Sequence, residues 1–199
     1  MATAMRNTDD GRDRPDTRRR ILTESLALFA GQGVAATTTK QIAERLGMSQ
    51  GILYKHFASK DDIVWEIFST GYSRYGEAVR AAAAAPGSFA DRLERIVRTI
   101  AALHDADPEL FRFLLLVQHG QLPRLTPEMS NPVDHILAFI DEGMRAGAIP
   151  KGDPVLAGAM LIGLVVQPAT FKAYGRIERS FGAMADELCA ACARLLFGA

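Results

Sequence analysis

The stretch "GMSQGILYKHFASKDD", residues 47–62, sets Ser49, Gln50, Gly51, Tyr54, Lys55 and His56 on one short segment. Hydroxyl, amide, phenol, ammonium and imidazole groups side by side suit hydrogen bonding and charge pairing more than covalent chemistry. No nucleophile, base and orienting group are paired by any local motif in the chain, so no catalytic residue is expected. The protein is read as a non-enzyme.

Other reactive residue types point to packing. Cys189 and Cys192 lie in "LCAACARLL", a helical context without the neighbouring strand pattern that a redox C-x-x-C requires. They are expected to pack as small hydrophobes. His104, His119 and His135 share no ligand spacing with a cysteine or carboxylate cluster, so neither a metal nor another cofactor is expected.

Charge separates the two ends of the chain. Residues 17–60 carry seven basic against two acidic side chains, a surplus of +5, whereas residues 61–199 carry 13 against 17, or −4. A basic N-terminal module on an acidic body directs the first toward a polyanion. The opening 16 residues hold seven charges and no apolar run, which excludes a signal peptide and predicts a disordered tail. The longest apolar run, Pro154–Val166, has 13 residues, short of the roughly 18 needed to span a bilayer. A soluble, cytoplasmic protein with no membrane partner is expected.

The elements that must position the polar stretch are helices. Ile21, Leu22, Ser25, Leu28 and Phe29 form an amphipathic stripe over about residues 17–30, closed by a left-handed glycine, Gly33. Thr37, Thr38 and Thr39 offer N-caps for a second helix through "KQIAERL", with Ile42, Ala43 and Leu46 inward. Ser49 caps a third, "QGILYKHF". At 100° per residue its Leu53 and Phe57 share a core-facing edge, while Gly51, Ile52, Tyr54 and Lys55 occupy the opposite arc with Gln50 and His56 at the margins. Ser59 and Asp62 start a fourth helix over about residues 60–85, ended by "PG". The rest reads as further helices, giving an all-α chain of about nine helices and no strand.

Two short helices joined by a glycine turn, with small Ala43, turn-forming Gly47 and apolar Leu53 at the three structural positions, describe a helix-turn-helix. The third helix is then free to enter a major groove. Gln50 is long enough to bond a base edge, Gly51 admits close approach, and Ile52 suits a thymine methyl. Ser49 is placed to receive a phosphate at a helix start. Tyr54, Lys55 and His56 suit phosphate oxygens, with Thr39, Lys40 and Lys60 on the same side. Singly, a tyrosine is a packing residue with a wet tip and a lysine a solvated charge. Together on one arc they constitute a DNA-binding set.

Residues 17–68, with "LFAGQG", "KQIAERLGMS" and "LYKHFASKDD" in order, closely resemble the DNA-binding region of the tetracycline-repressor (TetR) family. The resemblance implies DNA contacts at Thr39, Lys40, Ser49, Gln50, Gly51, Ile52, Tyr54, Lys55, His56 and Lys60. Ile52 stands where a small or hydroxylated residue is more usual. From about residue 69 the resemblance is architectural, and implies a helical effector-binding domain that dimerises through its last two helices. The many small and apolar groups of "LAGAMLIGL" and "GAMADELCAACARLLF" agree with a homodimer.

These readings divide the chain into a tail at 1–16, a helix-turn-helix domain at 17–63 and a helical ligand-binding and dimerisation domain at 64–199. The expected function is a homodimeric repressor, released from a pseudo-palindromic double-stranded DNA operator by a small, mostly apolar effector. An architectural DNA protein without effector is the alternative, followed by an all-helical enzyme. Phe113, Gln118, His119, Phe139, Gln167 and Phe171 are the expected ligand-binding residues.

Overall fold

A long helix is followed by two short ones with side-chain N-caps. In the computed structural model, which describes residues 14–198 and their side chains from Asp16 onward, α1 runs Arg14–Gln32, α2 Thr39–Arg45 and α3 Gln50–His56. Of the expected tail, residues 1–13 lie outside the described residues, and Arg14–Asp16 belong to α1. Gly33 closes α1 with φ +88°, its N–H donating to the Phe29 carbonyl at 3.0 Å. Thr38 starts α2 with a full capping box: its hydroxyl accepts the Gln41 N–H, and Gln41 Oε1 accepts the Thr38 N–H at 2.8 Å. Gly47, at φ +66°, makes the turn into α3, and the Ser49 hydroxyl accepts the Ile52 N–H at 3.3 Å.

Ile21, Phe29, Ile42, Ala43, Leu53 and Phe57 are all buried, so α1, α2 and α3 enclose one small core. Ser25 is buried there without a hydrogen-bond partner. Leu46 is only half-buried.

Helix α4, Lys60–Ala84, is capped by Ser59, whose hydroxyl accepts the Asp62 N–H at 3.1 Å. The chain divides into two compact units between Ile67 and Phe68, inside this helix. The first unit therefore includes the first turns of α4, with Ile63, Val64 and Ile67 buried. The expected boundary at residue 63 falls four residues earlier.

The second unit holds α5 (Phe89–Ala106), α6 (Pro108–Gln121), α7 (Pro132–Arg145), α8 (Pro154–Ala173) and α9 (Ala185–Phe197). Single-turn 3-10 segments stand at Leu122–Arg124 and Gly182–Met184. Four of these five helices open on a side-chain cap: Ser88, Asp107, Asn131 and Asp153 each accept from a first-turn N–H, and the last three precede a proline whose missing N–H costs nothing there; α9 has no such cap. Helix α5 packs on α6 and α9, and α8 packs on α7 and α9. No strand occurs among the described residues. Helices joined by short polar loops give an all-α fold.

Helix α8 is longer than its apolar run. The helix carrying the 13-residue apolar run continues through Pro168 to Ala173, 20 residues in all. Among the described residues it is the one helix long and apolar enough to cross a bilayer by length and composition. It packs on α7 closely enough that a Cβ on Gly158 would fall 2.3 Å from Leu137 Cδ2. Its other side leaves Val155, Leu156, Met160 and Phe171 exposed.

On α9, Cys192 is fully buried and its thiol is pushed up to about 11 by loss of solvation. Burial also raises Cys189, which is half-buried. Both are poor thiolates at neutral pH.

Candidate nucleic-acid interface and effector cavity

The apolar edge of α3, Leu53 and Phe57, is sealed, which turns its other arc outward. Gln50, Gly51, Ile52, Tyr54 and Lys55 are exposed, Ile52 at 41% and Tyr54 at 49% of their full area, and His56 is half-buried. An isoleucine so exposed in a chain with ample core is without packing use.

Thr39, in the first turn of α2, organises that arc. Its hydroxyl lies 3.1 Å from the Tyr54 hydroxyl, and it accepts from Gln50 Nε2 at 3.1 Å. Three of the sequence-assigned residues thus form one hydrogen-bonded group spanning α2 and α3. Lys40, one residue on, is exposed and paired with Glu44 at 3.7 Å, an i,i+4 contact of little strength in water. Ser49 is exposed but its oxygen already caps α3.

Lys60 has a structural role. Its ammonium donates to the carbonyls of Val34 at 2.7 Å and Thr37 at 2.8 Å, tying the α1–α2 connection to the start of α4. One of its three N–H groups remains for a phosphate. The same connection is held by Thr37, buried, whose hydroxyl donates to the Gly33 carbonyl at 2.8 Å.

Arg18 escaped the sequence reading. Its guanidinium lies 4.1 Å from the centroid of the Phe57 ring, donates to the His56 carbonyl at 2.6 Å and pairs with Glu66 through two nitrogens, Nε at 3.0 Å. It therefore stacks on the core edge of α3, takes up the last carbonyl of that helix and fixes it to α1 and α4. A single arginine in "TRRR" carries no mark of this, because its partners lie 38 and 48 positions away. Arg45 and Glu24, 2.6 Å apart, link α2 to α1 in the same way.

The second unit contains an apolar cavity of about 120 Å³. Tyr75, Val79, Ile96, Phe111 and Val165 are among its buried walls, and Leu115, Gln118, Pro132 and Ile162 among its half-exposed ones. Of the six residues assigned to a ligand from sequence, Gln118 lines it. Phe113 and Phe139 are buried elsewhere in the core, Phe139 with its ring 5.6 Å from that of Phe89. His119, Gln167 and Phe171 are exposed and away from the cavity wall. Tyr72 and Tyr75 line it unannounced; loss of solvation and then the charge of Asp134 push Tyr72 up to about 12. Burial raises Tyr75 as well, with Asp107 adding to the rise and Arg74 opposing it.

With this geometry in view, comparison with known proteins is informative. Residues 21–67 match the family of bacterial regulatory proteins described as the tetR family. The HTH-type transcriptional regulator AcrR of Shigella flexneri is 40% identical over 62 residues, 31% of this chain and 29% of that protein. The HTH-type transcriptional repressor KstR2 of Mycobacterium tuberculosis is 45% identical over 47 residues, 24% of each chain. This chain thus covers less than a third of these curated relatives. A longer match, 34% identical over 152 residues, reaches SrpR of Pseudomonas putida, covering 69% of this chain and 63% of that regulator. Among solved structures, a tetR-family regulator from Rhodococcus RHA1 superposes with a TM-score of 0.75 at 23% identity, over 90% of this chain and 96% of that one. FadR of Bacillus subtilis, solved with stearoyl-CoA, does so at 0.72 and 18%, over 91% and 98%. At such identities the structural likeness concerns the fold. The family match coincides with the three-helix unit whose outward arc carries Gln50, Tyr54 and Lys55, and residues 21–67 of this chain are similar to the DNA-binding region of the tetR family of bacterial regulatory proteins.

Proposed function

We propose that this protein is a sequence-specific DNA-binding regulator of transcription, acting as a homodimeric repressor in the cytoplasm. The observation that carries the reading is the Thr39–Gln50–Tyr54 group on the outward arc of α3. It holds an amide and a phenol in fixed positions beside exposed Ile52 and Lys55, on a helix whose opposite edge is sealed. Gln50 and Ile52 take the base-reading roles, Lys55 and Tyr54 contact phosphates, and Gly51 admits the backbone. Thr39, Lys40, Ser49, His56 and the remaining N–H of Lys60 complete the contact set.

The exposed apolar side of α8, with Val155, Leu156, Met160 and Phe171, supports a homodimer formed through α8 and α9. Two copies of α3 then read a duplex with two-fold pseudo-symmetry. Selection of bound duplexes from a random pool by the purified protein tests this: a palindromic pair of half-sites is expected, and a single asymmetric core overturns the dimeric reading.

The cavity supports release by a small effector. Helix α4 contributes Lys60–Ile67 to the DNA-reading unit and Tyr72, Tyr75 and Val79 to the cavity wall, so a ligand that displaces it alters both. The effector then prefers the form that does not bind DNA, and by linkage operator DNA weakens effector binding by the same factor. Equal effector affinity with and without saturating operator overturns the release mechanism and leaves a constitutive binder.

A further inference from the structure

Helix α3 has seven residues, and a helix that short does not hold its shape or its place by itself. Base reading needs it held firmly. Side chains that bond base edges must be kept to within about 0.5 Å, whereas phosphate contacts through long basic side chains follow small shifts of the backbone. The N-terminal half of α3 is tied to α2 through Thr39, which bonds Gln50 and Tyr54. The C-terminal end meets Arg18 of α1.

Arg18 gives three of its five N–H groups to that end and to α4. Its Nη1 donates at 2.6 Å to the His56 carbonyl, one of the last carbonyls of α3, which no amide further along the helix can satisfy. Its Nε, at 3.0 Å, and its Nη2 donate to the two carboxylate oxygens of Glu66 on α4. The guanidinium carbon lies 4.1 Å from the ring centroid of Phe57, itself buried. One planar group therefore holds the end of α3 by an edge and by a face, and a carboxylate fixes the plane. A lysine has neither fork nor plane, so it cannot reproduce the arrangement.

Two further facts separate this role from plainer ones. Phe57 lies about 160° around α3 from Lys55, the centre of the outward arc, so the guanidinium stacked on it stands behind the helix. The side chains of Arg18 and Glu66 keep 42% and 29% of their full exposure, and an ion pair so open to water contributes little to stability.

We infer that Arg18 is a positioning residue for base recognition. It touches no DNA, and it seats α3 by anchoring its C-terminal end to α1 and, through Glu66, to α4. Sequence discrimination depends on it and general affinity for DNA does not. The inference rests on reading α3 as the DNA-recognition helix.

The test uses the full chain, Arg18→Lys and Glu66→Gln, with the duplex selected by the parent, its single-base variants and random duplex. In Arg18→Lys, discrimination against the single-base variants is expected to fall by about tenfold, with affinity for random duplex and the salt slope unchanged. Glu66→Gln leaves Arg18 in place without its bidentate partner and is expected to act in the same direction by about threefold. Hydrogen exchange without DNA supplies the second readout. The Phe57 amide, which donates to the Leu53 carbonyl at 3.1 Å, should exchange about tenfold faster in Arg18→Lys, and the Leu46 amide at the end of α2 should not. Full discrimination in Arg18→Lys, or exchange at Phe57 unchanged or accelerated equally with Leu46, overturns the inference. Equal loss on every duplex with a salt slope smaller by about one also overturns it, and makes Arg18 a phosphate contact. A parent that selects no duplex removes the DNA-binding reading itself, a failure distinct from that of Arg18.

Discussion

The hydroxyl of Thr39 lies 3.1 Å from that of Tyr54, joining the first turn of α2 to the middle of α3. Since Gln50 Nε2 also donates to Thr39, one hydroxyl sets the direction of two long side chains before any DNA arrives. Preorganisation of this kind lowers the ordering cost of binding. Thr39→Val keeps the shape and removes the oxygen. The expected result is a fold stability within about 0.5 kcal/mol of the parent, with discrimination between the selected site and its single-base variants reduced by about 1 kcal/mol at the pairs read by Gln50. Competitive binding with the variant duplexes measures it, and unchanged discrimination removes Thr39 from an organising role.

Gly51 separates stability from recognition. A Cβ there would meet only Ser49 Oγ, at 3.7 Å, so the free protein has room for a side chain. Alanine is a better helix former by about 1 kcal/mol, and Gly51→Ala is expected to raise the melting temperature while weakening DNA binding. Joint measurement of thermal unfolding and DNA affinity checks this; a stabilised variant with full affinity shows that the backbone at Gly51 does not approach the duplex.

Lys55 and Lys60 are expected to fail differently. Lys55 is exposed, so Lys55→Met should leave stability unchanged, weaken binding to every sequence and reduce the slope of log affinity against log salt by about one. Lys60→Met strips two carbonyls of their donor and should lower the melting temperature as well. A salt titration beside a thermal scan for each variant tells the two apart.

Local signals made the helices legible. Thr38, Ser49, Ser59, Ser88 and Asp153 each cap the helix that follows within three residues, and such signals need no knowledge of the rest of the chain. The outward arc of α3 was legible for the same reason, since Leu53 and Phe57 define its buried edge by angle alone. What could not be read depends on distant partners. Phe111 and Phe113 sit two residues apart on α6 and are both buried, yet only Phe111 reaches the cavity, a difference set by α4 and α8 across from it. Arg18 and Lys60 act on carbonyls and a carboxylate 23 to 48 positions away, and a solvated basic residue looks the same in sequence.

Asp105 gives the second unit a dependence on acid. Its carboxylate accepts the N–H groups of Phe181 at 2.9 Å and Gly182 at 2.7 Å and contacts His104 Nδ1 at 3.2 Å, joining the end of α5 to the segment before α9. Burial pushes its pKa up, but these hydrogen bonds outweigh that and leave it below the usual carboxylate value. The depressed native value means that its contribution is present above the unfolded pKa near about 4 and is lost as pH falls toward the native one. Asp105→Asn, which keeps one acceptor, should cost about 1–2 kcal/mol at neutral pH, with the gap to the parent closing in acid. Denaturant unfolding at pH 7 and at pH 3 measures both; a gap that stays constant excludes the carboxylate charge as its origin.

The division of this chain inside α4 leaves no loop at which one half can be exchanged for that of a relative. A splice between Ile67 and Phe68 must conserve helical phase, because each inserted or deleted residue turns everything beyond it by about 100° and moves it by about 1.5 Å. Ile63, Val64 and Ile67 before the splice, and Phe68, Tyr72, Tyr75 and Val79 after it, are all buried. A splice at constant length keeps each set in its register on the helix. Exchange of either unit therefore preserves the phase of α4 only by substitution at constant length across this junction.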